Sequence, residues 1–336
     1  MNNRPEVHVT DVNQFLTCRT KWFYSSRLSN GLRSRRPNKH LMLGTAVHYG
    51  LGAYYGSGPT MADWSAPGAL SAYIAHLKRE KDAGLPSDDE DLNDYMDLGN
   101  TMLVNYFPWS RQNDDFTVIM PEVEIRYDFG DYDFAGTTDG VVRDESGGIW
   151  LLEHKTAAQF PNATALSFSL QAAMYTWVVR NTPSIASLGS SVRGVIFTIL
   201  RKAVPTMPKV LKSGSGMERR ADIGCTPTQY LRAVTLAGFD PKDYASFAST
   251  LDPNKFVHRE YIALPEKALQ TAVMEFTTVA EEMVHNPRIY RCDPLRQCSW
   301  CDYKDLCSQK LFGRPWEEIA DNYFVKDTGT NEEDLD

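Results

Sequence analysis

The chain has 336 residues, of which 42% are hydrophobic, so it is long and apolar enough for one elaborated domain or two closely packed ones. Its formal net charge of −8 excludes a simple polycation that would bind nucleic acid through overall charge. We find no apolar run long enough to cross a bilayer and no apolar leader after a basic start, so we expect a cytoplasmic protein. Thiols stay reduced in that compartment, and the six cysteines therefore favour metal binding over a disulfide framework.

The first third of the chain is predicted to be helical. Residues from about Thr10 to Arg27 have an apolar stripe that includes Phe15, Cys18 and Trp22. Further helices are expected at about Leu41–Tyr55, Ala69–Ala83 and Asp91–Phe107. Basic residues gather between the first two helices, where they would either neutralise phosphates locally or form a solvated loop: Arg27, Arg33, Arg35, Arg36 and Lys39.

The hydrophobic pattern then changes to period two, which is typical of strands. Strands are predicted at about Val123–Phe129, Phe134–Val142, Ile149–Lys155, Gly194–Leu200 and Val257–Ala263. Two more helices are predicted at about Ala165–Arg180 and Pro265–His285, and the Lys-, Gly- and Ser-rich stretch Pro205–Ala221 is predicted to be a mobile loop or insertion. We find no internal repeat. The order of elements predicts an α/β fold in which helices flank a mixed central sheet.

Three charged residues lie on two of these strands, in the segment GTTDGVVRDESGGIWLLEHKT. If the strands form an antiparallel hairpin around Ser146, Asp139 and Glu153 lie directly opposite one another and point to the same face of the sheet. Lys155 follows Glu153 by two residues and therefore joins that face. The sequence predicts that two carboxylates and one ammonium group converge at the end of an otherwise apolar strand.

Two interpretations account for these charges. One is a structural salt bridge of Lys155 with Glu153 or Asp139, although apolar replacements of such buried charges are often neutral or better for stability. The other is a site for a hard divalent cation, since Mg²⁺ commonly uses one or two carboxylates and keeps several waters. We favour the cation site, in which Lys155 would lie beside a metal-bound water.

This order of residues resembles the PD-(D/E)xK nuclease superfamily. The pattern Gly-x-x-Asp, then a hairpin, then Glu-x-Lys-Thr places Asp139, Glu153 and Lys155 at the three central positions of that family. The chain is most similar to the RecB-like branch, which adds Gln-x-x-x-Tyr on the following helix, and Gln171 and Tyr175 stand there. Their four-residue spacing places both side chains on one helical face.

The resemblance extends upstream of the hairpin. The RecB-like branch has a histidine within Gly-x-x-x-His, matched here by Gly44 and His48, and an acidic residue before the first core strand, matched by Glu122 or Glu124. The resemblance implies Mg²⁺ or Mn²⁺ held by His48, Asp139, Glu153 and the backbone carbonyl of His154. It also implies a set of catalytic residues, namely Asp139, Glu153, Lys155, Gln171 and Tyr175.

Three cysteines near the end of the chain form a C-x2-C-x5-C run, Cys298, Cys301 and Cys307. A metal site needs a fourth ligand, and the residues leave three candidates open, which are Cys18, Cys225 and Cys292. The resemblance favours Cys18, because iron–sulfur nucleases of this branch join one N-terminal cysteine to three with this spacing; they include the AddB nuclease domain and the exonucleases of CRISPR adaptation. It thus implies a 4Fe–4S cluster, and the alternative is structural Zn²⁺ that uses the same cysteines with Cys292 or His285.

The resemblance also implies an architecture. It predicts a restriction-endonuclease-like core, an α/β fold with a mixed central sheet, together with a helical N-terminal region and a C-terminal iron–sulfur region. The expected regions are an N-terminal helical region at 1–110, the nuclease core at 111–290, a cluster-binding segment at 291–315 and a disordered acidic tail at 316–336.

The function that the resemblance implies is metal-dependent hydrolysis of DNA from free, single-stranded ends, in phage or bacterial recombination, replication or repair. No Walker A pattern occurs, so a helicase would be a separate partner. The alternative is a catalytically silent iron–sulfur DNA-binding subunit of a larger nuclease or of a CRISPR-adaptation complex. An intact set of Asp139, Glu153 and Lys155 argues against that alternative, because a binding module does not need a cation site.

Overall fold

The computed structural model describes residues 4–35, 39–82, 89–182, 192–220, 222–292 and 298–327. Five helices lie in the first third of the chain: α1 (Val9–Thr17), α2 (Arg19–Ser25), α3 (Lys39–Gly56), α4 (Ala66–Asp82) and α5 (Asp89–Asn113). The single helix predicted for residues 10–27 is wrong, because Cys18 is extended with φ −160° and ψ 107°. Its N–H closes α1 by donating to the Gln14 carbonyl, and the chain turns at Cys18 before α2 begins.

The strands in the described part of the chain are β1 (Glu6–Val7), β2 (Leu32–Ser34), β3 (Phe116–Asp128), β4 (Asp133–Asp144), β5 (Ile149–Ala157), β6 (Val192–Arg201), β7 (Val257–Ala263) and β8 (Phe324–Lys326). The remaining helices there are α6 (Ala163–Ser167), α7 (Leu170–Asn181), α8 (Pro227–Leu236), α9 (Ala245–Ala248), α10 (Glu266–His285), α11 (Lys304–Leu311) and α12 (Glu317–Tyr323). Residues 165–180 form two helices instead of one because Asn162 and Ser169 each supply an N-cap, to α6 and α7 respectively. Within the described residues, no helix combines the length and the hydrophobicity needed to span a membrane.

Six strands form one mixed sheet with the order β1-β4-β5-β6-β7 and with β3 on the other edge of β4. The pairs β3–β4, β4–β5 and β6–β7 are antiparallel, whereas β5–β6 and β1–β4 are parallel. Strand β3 covers one edge of β4, so β1 and β5 share the other edge. On that edge β1 pairs with residues 133–134 of β4, and β5 pairs with residues 140–143 of β4. On that edge, residues 135–139 of β4 pair with neither described strand. The sheet therefore opens between β1 and β5.

Helices cover both faces of this sheet, as predicted for an α/β fold. One apolar core lies under α1, α7 and α10 and includes Phe15, Met174 and Phe276. The other core lies under α3, α4 and α5 and includes Tyr73 and Leu103. The predicted N-terminal region 1–110 thus supplies helices to both faces of the sheet.

The stretch predicted as a mobile loop at Pro205–Ala221 is part of a folded insertion, although Ala221 itself lies outside the described residues. An isolated β-bridge joins Val210 to Met217, and the helices α8 and α9 follow. The insertion has its own apolar core, which includes Met217, Ile223, Cys225, Tyr230, Val234 and Tyr244. The helices α8 and α9 were not predicted from the sequence, because each packs on this small local core and not on the main sheet.

The N-terminal and C-terminal segments are joined directly. Strands β2 and β8 form a two-stranded antiparallel sheet, and the Tyr303 hydroxyl donates to the Leu32 carbonyl at 2.6 Å. Tyr24 stacks on Tyr303 with 6.1 Å between ring centroids. The prediction of disorder from residue 316 is wrong for residues 317–326, because Ala320 of α12 and Phe324 of β8 are buried in this contact. Residues 328–336 of the predicted tail lie outside the described residues.

A buried ion pair joins the end of α5 to β7. The Arg259 guanidinium lies 2.6 Å from the Asp114 carboxylate, and Asp114 also accepts a hydrogen bond of 2.8 Å from the Tyr55 hydroxyl. Burial raises the pKa of Asp114 even though Arg259 and Tyr55 both lower it. The carboxylate therefore pays a desolvation cost that its partners do not fully offset.

We expect Arg259→Met to lower the free energy of unfolding by about 3–5 kcal/mol, because Asp114 would remain as a buried carboxylate without its cation. The double variant Asp114→Leu/Arg259→Met should recover most of that loss, since it removes both charges. Urea unfolding followed by circular dichroism measures both values. A double variant that is less stable than Arg259→Met would contradict this account of the pair.

Candidate functional site

Asp139 is the last residue of the open stretch of β4. The register that pairs Gly140 with Leu152 would next pair Asp139 with Glu153, at the point where β4 and β5 separate. The Thr138 hydroxyl donates to the Leu152 carbonyl at 3.1 Å and holds the two strands together at this point. The structure thus brings the two carboxylates to the opposed positions that the sequence predicted.

Successive side chains of β5 point alternately to the two faces of the sheet. Ile149 and Leu151 belong to the core under α7, whereas Trp150 and Leu152 belong to the core under α3. Glu153 and Lys155 continue the first series, and His154 continues the second. Because Val141 of β4 also belongs to the core under α7, Asp139 shares its face with Glu153 and Lys155.

The Asp139 carboxylate is bound by two histidines. Its Oδ1 lies 3.0 Å from His48 Nδ1, and its Oδ2 accepts the His154 backbone N–H at 2.5 Å and lies 3.2 Å from His154 Nδ1. Burial would raise the pKa of Asp139, but the charge of His48 and the hydrogen bonds from both histidines hold it well below its usual range. Burial likewise would lower the pKa of His48, but Asp139 outweighs it and raises that pKa to about 9.

Glu153 and Lys155 form an ion pair beside Asp139. Lys155 Nζ lies 2.6 Å from Glu153 Oε1 and donates to Gln171 Oε1 at 2.9 Å. Burial and the charge of Asp139 raise the pKa of Glu153, and Lys155 offsets part of that rise. Gln171, in the first turn of α7, therefore holds Lys155 against Glu153.

Tyr175 lies one turn beyond Gln171 and packs against the open edge of β4. A Cβ atom added to Gly136 would come within 2.7 Å of the Tyr175 ring, so only glycine allows this contact. Burial and the charge of Glu153 raise the pKa of Tyr175 to about 12. Gly136, the glycine of the Gly-x-x-Asp pattern, thus leaves space for Tyr175 of the Gln-x-x-x-Tyr pattern.

The structure distinguishes the two acidic candidates on β3. Both side chains are exposed, and Glu124 pairs with Arg126. Partial desolvation and the charge of Asp139 raise the pKa of Glu122, and His48 lowers it in part. Glu122 has φ 40°, a left-handed conformation that is uncommon outside glycine and often marks functional sites. A Cβ atom at Gly52 of α3 would clash with the Glu122 carboxylate. Backbone conformation and packing therefore direct Glu122 toward the site.

The donors around Asp139 have the chemistry of a divalent-cation site. They are carboxylates and one imidazole, and the pKa of both Glu122 and Glu153 is raised in part by Asp139, which indicates excess negative charge. In this structure Asp139 contacts His48 and His154, and Glu153 contacts Lys155. Across the described ranges, no three His, Cys, Asp or Glu side chains are arranged around a common metal position. A cation would fit by replacing the contact of His48 with Asp139 and that of Lys155 with Glu153.

Five cysteines line one cavity of about 290 Å³, namely Cys18, Cys292, Cys298, Cys301 and Cys307. The structure contains no disulfide among the six cysteines. Burial raises the pKa of Cys292 to about 12, and the neighbouring Cys18 and Cys298 contribute to that rise. Residues 293–297, between two of these thiols, lie outside the described residues. The sequence analysis left Cys292 as one of three candidates, and its place beside Cys18 is a result of the tertiary structure.

Two of the alternatives lie elsewhere in the fold. Cys225 is fully buried in the core of the insertion, and His285 contacts Asp131 at 3.0 Å. Neither lines the cysteine cavity. The break at Cys18 between α1 and α2 gives the first cysteine its place at the cavity wall. The remaining five thiols number one more than a four-ligand site requires, and no three of these described side chains surround a common metal position.

Comparisons with known proteins identify a superfamily for this chain. The family model described as the PD-(D/E)XK nuclease superfamily matches residues 7–308. No curated protein sequence matches the chain. Among solved structures, the crystal structure of SSO0001 is similar over 90% of this chain and 85% of that chain, with 13% identity and a TM-score of 0.32, which is too low for any inference. The match of the family model covers most of the chain, and this protein therefore belongs to the PD-(D/E)XK nuclease superfamily.

Proposed function

We propose that this protein is a DNA exonuclease of the RecB-like branch, which hydrolyses phosphodiester bonds at free, single-stranded DNA ends. The observation that carries the proposal is the convergence of Asp139, Glu153 and Lys155 on one sheet face at the point where β4 and β5 separate. A structural salt bridge would need only one carboxylate for Lys155. The second carboxylate, held by two histidines, is explained by a cation that the nuclease reaction requires.

Mg²⁺ or Mn²⁺ would be held by His48, Asp139, Glu153 and the His154 backbone carbonyl, with Glu122 as a further candidate. A bound divalent cation lowers the pKa of a coordinated water and stabilises negative charge on the phosphate. Binding would require that Asp139 release His48 and that the His48 imidazolium, with its pKa of about 9, lose its proton to solvent, so that a neutral nitrogen can act as a ligand. The low pKa of Asp139 keeps this carboxylate ionised for that purpose.

Lys155 would supply a fixed positive charge to the reacting phosphate. Gln171 holds its ammonium group, and Glu153 lies on the other side of it. A charge that is already positioned stabilises the developing oxyanion without reorganisation at the moment of reaction. Tyr175, with a pKa of about 12, stays protonated and would hold Gln171 or the scissile strand.

The cysteine cavity would hold a 4Fe–4S cluster, as in the iron–sulfur nucleases that the chain resembles. Cys298, Cys301 and Cys307 supply three thiolates, and Cys18 supplies the fourth. The crowding of thiols at this cavity, expressed in the raised pKa of Cys292, favours a cationic occupant. Its role would be structural, because it connects residue 18 to residue 307 and constrains the unfolded chain. A helicase or recombination protein would be a separate partner.

The nuclease activity is tested with purified protein, Mg²⁺ or Mn²⁺, and end-labelled single-stranded DNA, in parallel with a circular single strand. We expect linear DNA to be degraded, the circle to persist, and EDTA to stop the reaction. Asp139→Asn and Lys155→Met should each lower the rate by about 10²–10³-fold, because each removes a charge that acts on the transition state. Wild-type rates in either variant would refute the assignment.

A matched pair on β3 serves as the internal control. Glu122→Gln should weaken cleavage, since Glu122 faces Asp139, whereas Glu124→Gln should leave it unchanged because Glu124 pairs with exposed Arg126. A wild-type protein that binds DNA without cleaving it in Mn²⁺ would instead establish the silent DNA-binding subunit.

The cluster is tested by anaerobic purification and analysis of iron, sulfide and zinc. We expect about four irons and four sulfides per chain, as a 4Fe–4S cluster requires. Cys298→Ser and Cys18→Ser should lose the iron, while Cys225→Ser should retain it, because that thiol lies in the insertion core. One zinc per chain and no sulfide would establish the structural zinc site in place of the cluster.

A further inference from the structure

The side chain of His154 lies between the two residues of the Glu-x-Lys pattern but on the opposite face of β5. It is 2% exposed, and its ring packs at 5.5 Å from that of Tyr55 in the core under α3. Nevertheless its Nδ1 reaches Asp139 Oδ2 at 3.2 Å, beside the backbone N–H that binds the same oxygen. A carboxylate only accepts hydrogen bonds, so Nδ1 carries the proton and Nε2 is left as an acceptor.

Two buried tyrosines continue from His154 into the core. The Tyr106 hydroxyl lies 3.5 Å from His154 Nε2 and also contacts the Tyr55 hydroxyl. Tyr55 donates to Asp114 at 2.8 Å, and Asp114 pairs with Arg259. Tyr106 has one proton to donate, and His154 Nε2 and Tyr55 are its two acceptors. A continuous set of polar contacts thus runs from an oxygen of Asp139 to the ion pair at β7.

This network is costly for a core that apolar side chains would otherwise fill. Tyr55 and Tyr106 are fully buried, and a buried polar network stabilises a fold only when every member is satisfied. The weakest contact is the one at 3.5 Å, near the limit of a hydrogen bond. This contact meets Nε2, the nitrogen that the Asp139 contact leaves without a proton, so a proton donated by Tyr106 would favour the same tautomer that Asp139 selects.

We propose that His154 is a positioning residue, whose imidazole orients Asp139 as a cation ligand, and that Tyr106 and Tyr55 hold that imidazole in its Nδ1–H form. The inference rests on the proposed function, because the orientation of Asp139 matters to a cation site. It assigns a role to the side chain of a residue whose backbone carbonyl alone was expected to act. It also explains why a histidine, and not an apolar residue, follows Glu153 on a buried strand.

Substitutions of His154 leave the backbone carbonyl and N–H in place, so they test the imidazole alone. His154→Leu should weaken Mn²⁺ binding by about 10–100-fold, the usual cost of removing a partner behind a metal ligand. His154→Asn should restore most of it, because the Asn amide nitrogen occupies nearly the place of Nδ1, whereas His154→Gln should not. Mn²⁺ affinity is measured without DNA, from the loss of the free-ion electron paramagnetic resonance signal.

The dependence of kcat on Mn²⁺ concentration gives a second readout. A residue with a purely structural role would not change kcat while leaving KM for DNA unaltered. At subsaturating Mn²⁺, His154→Leu should lower kcat while KM for DNA stays at the wild-type value. Saturating Mn²⁺ should recover a large part of kcat. A parallel loss of kcat and of DNA affinity that Mn²⁺ does not relieve would overturn the positioning role.

Two tyrosines provide a matched control. Tyr106→Phe and Tyr54→Phe each remove one fully buried hydroxyl from the same core, but Tyr54 bonds to Ser110 and does not contact His154. Tyr106→Phe should weaken Mn²⁺ binding in the same direction as His154→Leu, though less, and Tyr54→Phe should leave it unchanged. Equal effects of the two would overturn the proposal, even if His154→Leu fails to fold. A wild-type protein that neither binds Mn²⁺ nor cleaves DNA would refute the proposed function itself.

Discussion

The open stretch of β4 between β1 and β5 is the constraint on which the rest of the site depends. A strand edge without a partner exposes backbone groups and leaves space beside the sheet. Here that space holds Asp139, and α3 and α7 approach it from the two faces of the sheet with His48 and Tyr175. The charges meet at this point because the antiparallel pair of β4 and β5 ends there.

Contacts among its own side chains hold the carboxylates of the site, and a bound cation would replace some of them. His48 pairs with Asp139 and Lys155 pairs with Glu153, while the neutral His154 ring donates a hydrogen bond to Asp139. Such pairs lower the cost of burying two carboxylates side by side. The same groups therefore stabilise the fold around the site and serve the chemistry that we propose for it.

The N-terminal and C-terminal segments pack against each other. A small apolar core around Tyr24, Leu306 and Phe324, together with the β2–β8 pair, brings the N-terminal and C-terminal segments into contact. The five cysteines line a cavity beside that core. A cluster at this position would reinforce a contact that hydrophobic packing already establishes.

The sequence alone determined the alternation of β4 and β5, the hairpin between them and the spacing of Gln171 and Tyr175, because these follow from local periodicity and turn chemistry. It therefore predicted the α/β class and the convergence of Asp139, Glu153 and Lys155. Only the tertiary structure decided between Glu122 and Glu124, broke the first helix at Cys18, and gave the insertion a core of its own. Those outcomes depend on contacts between residues far apart in the chain, such as His48 with Asp139, and local patterns carry no information about them.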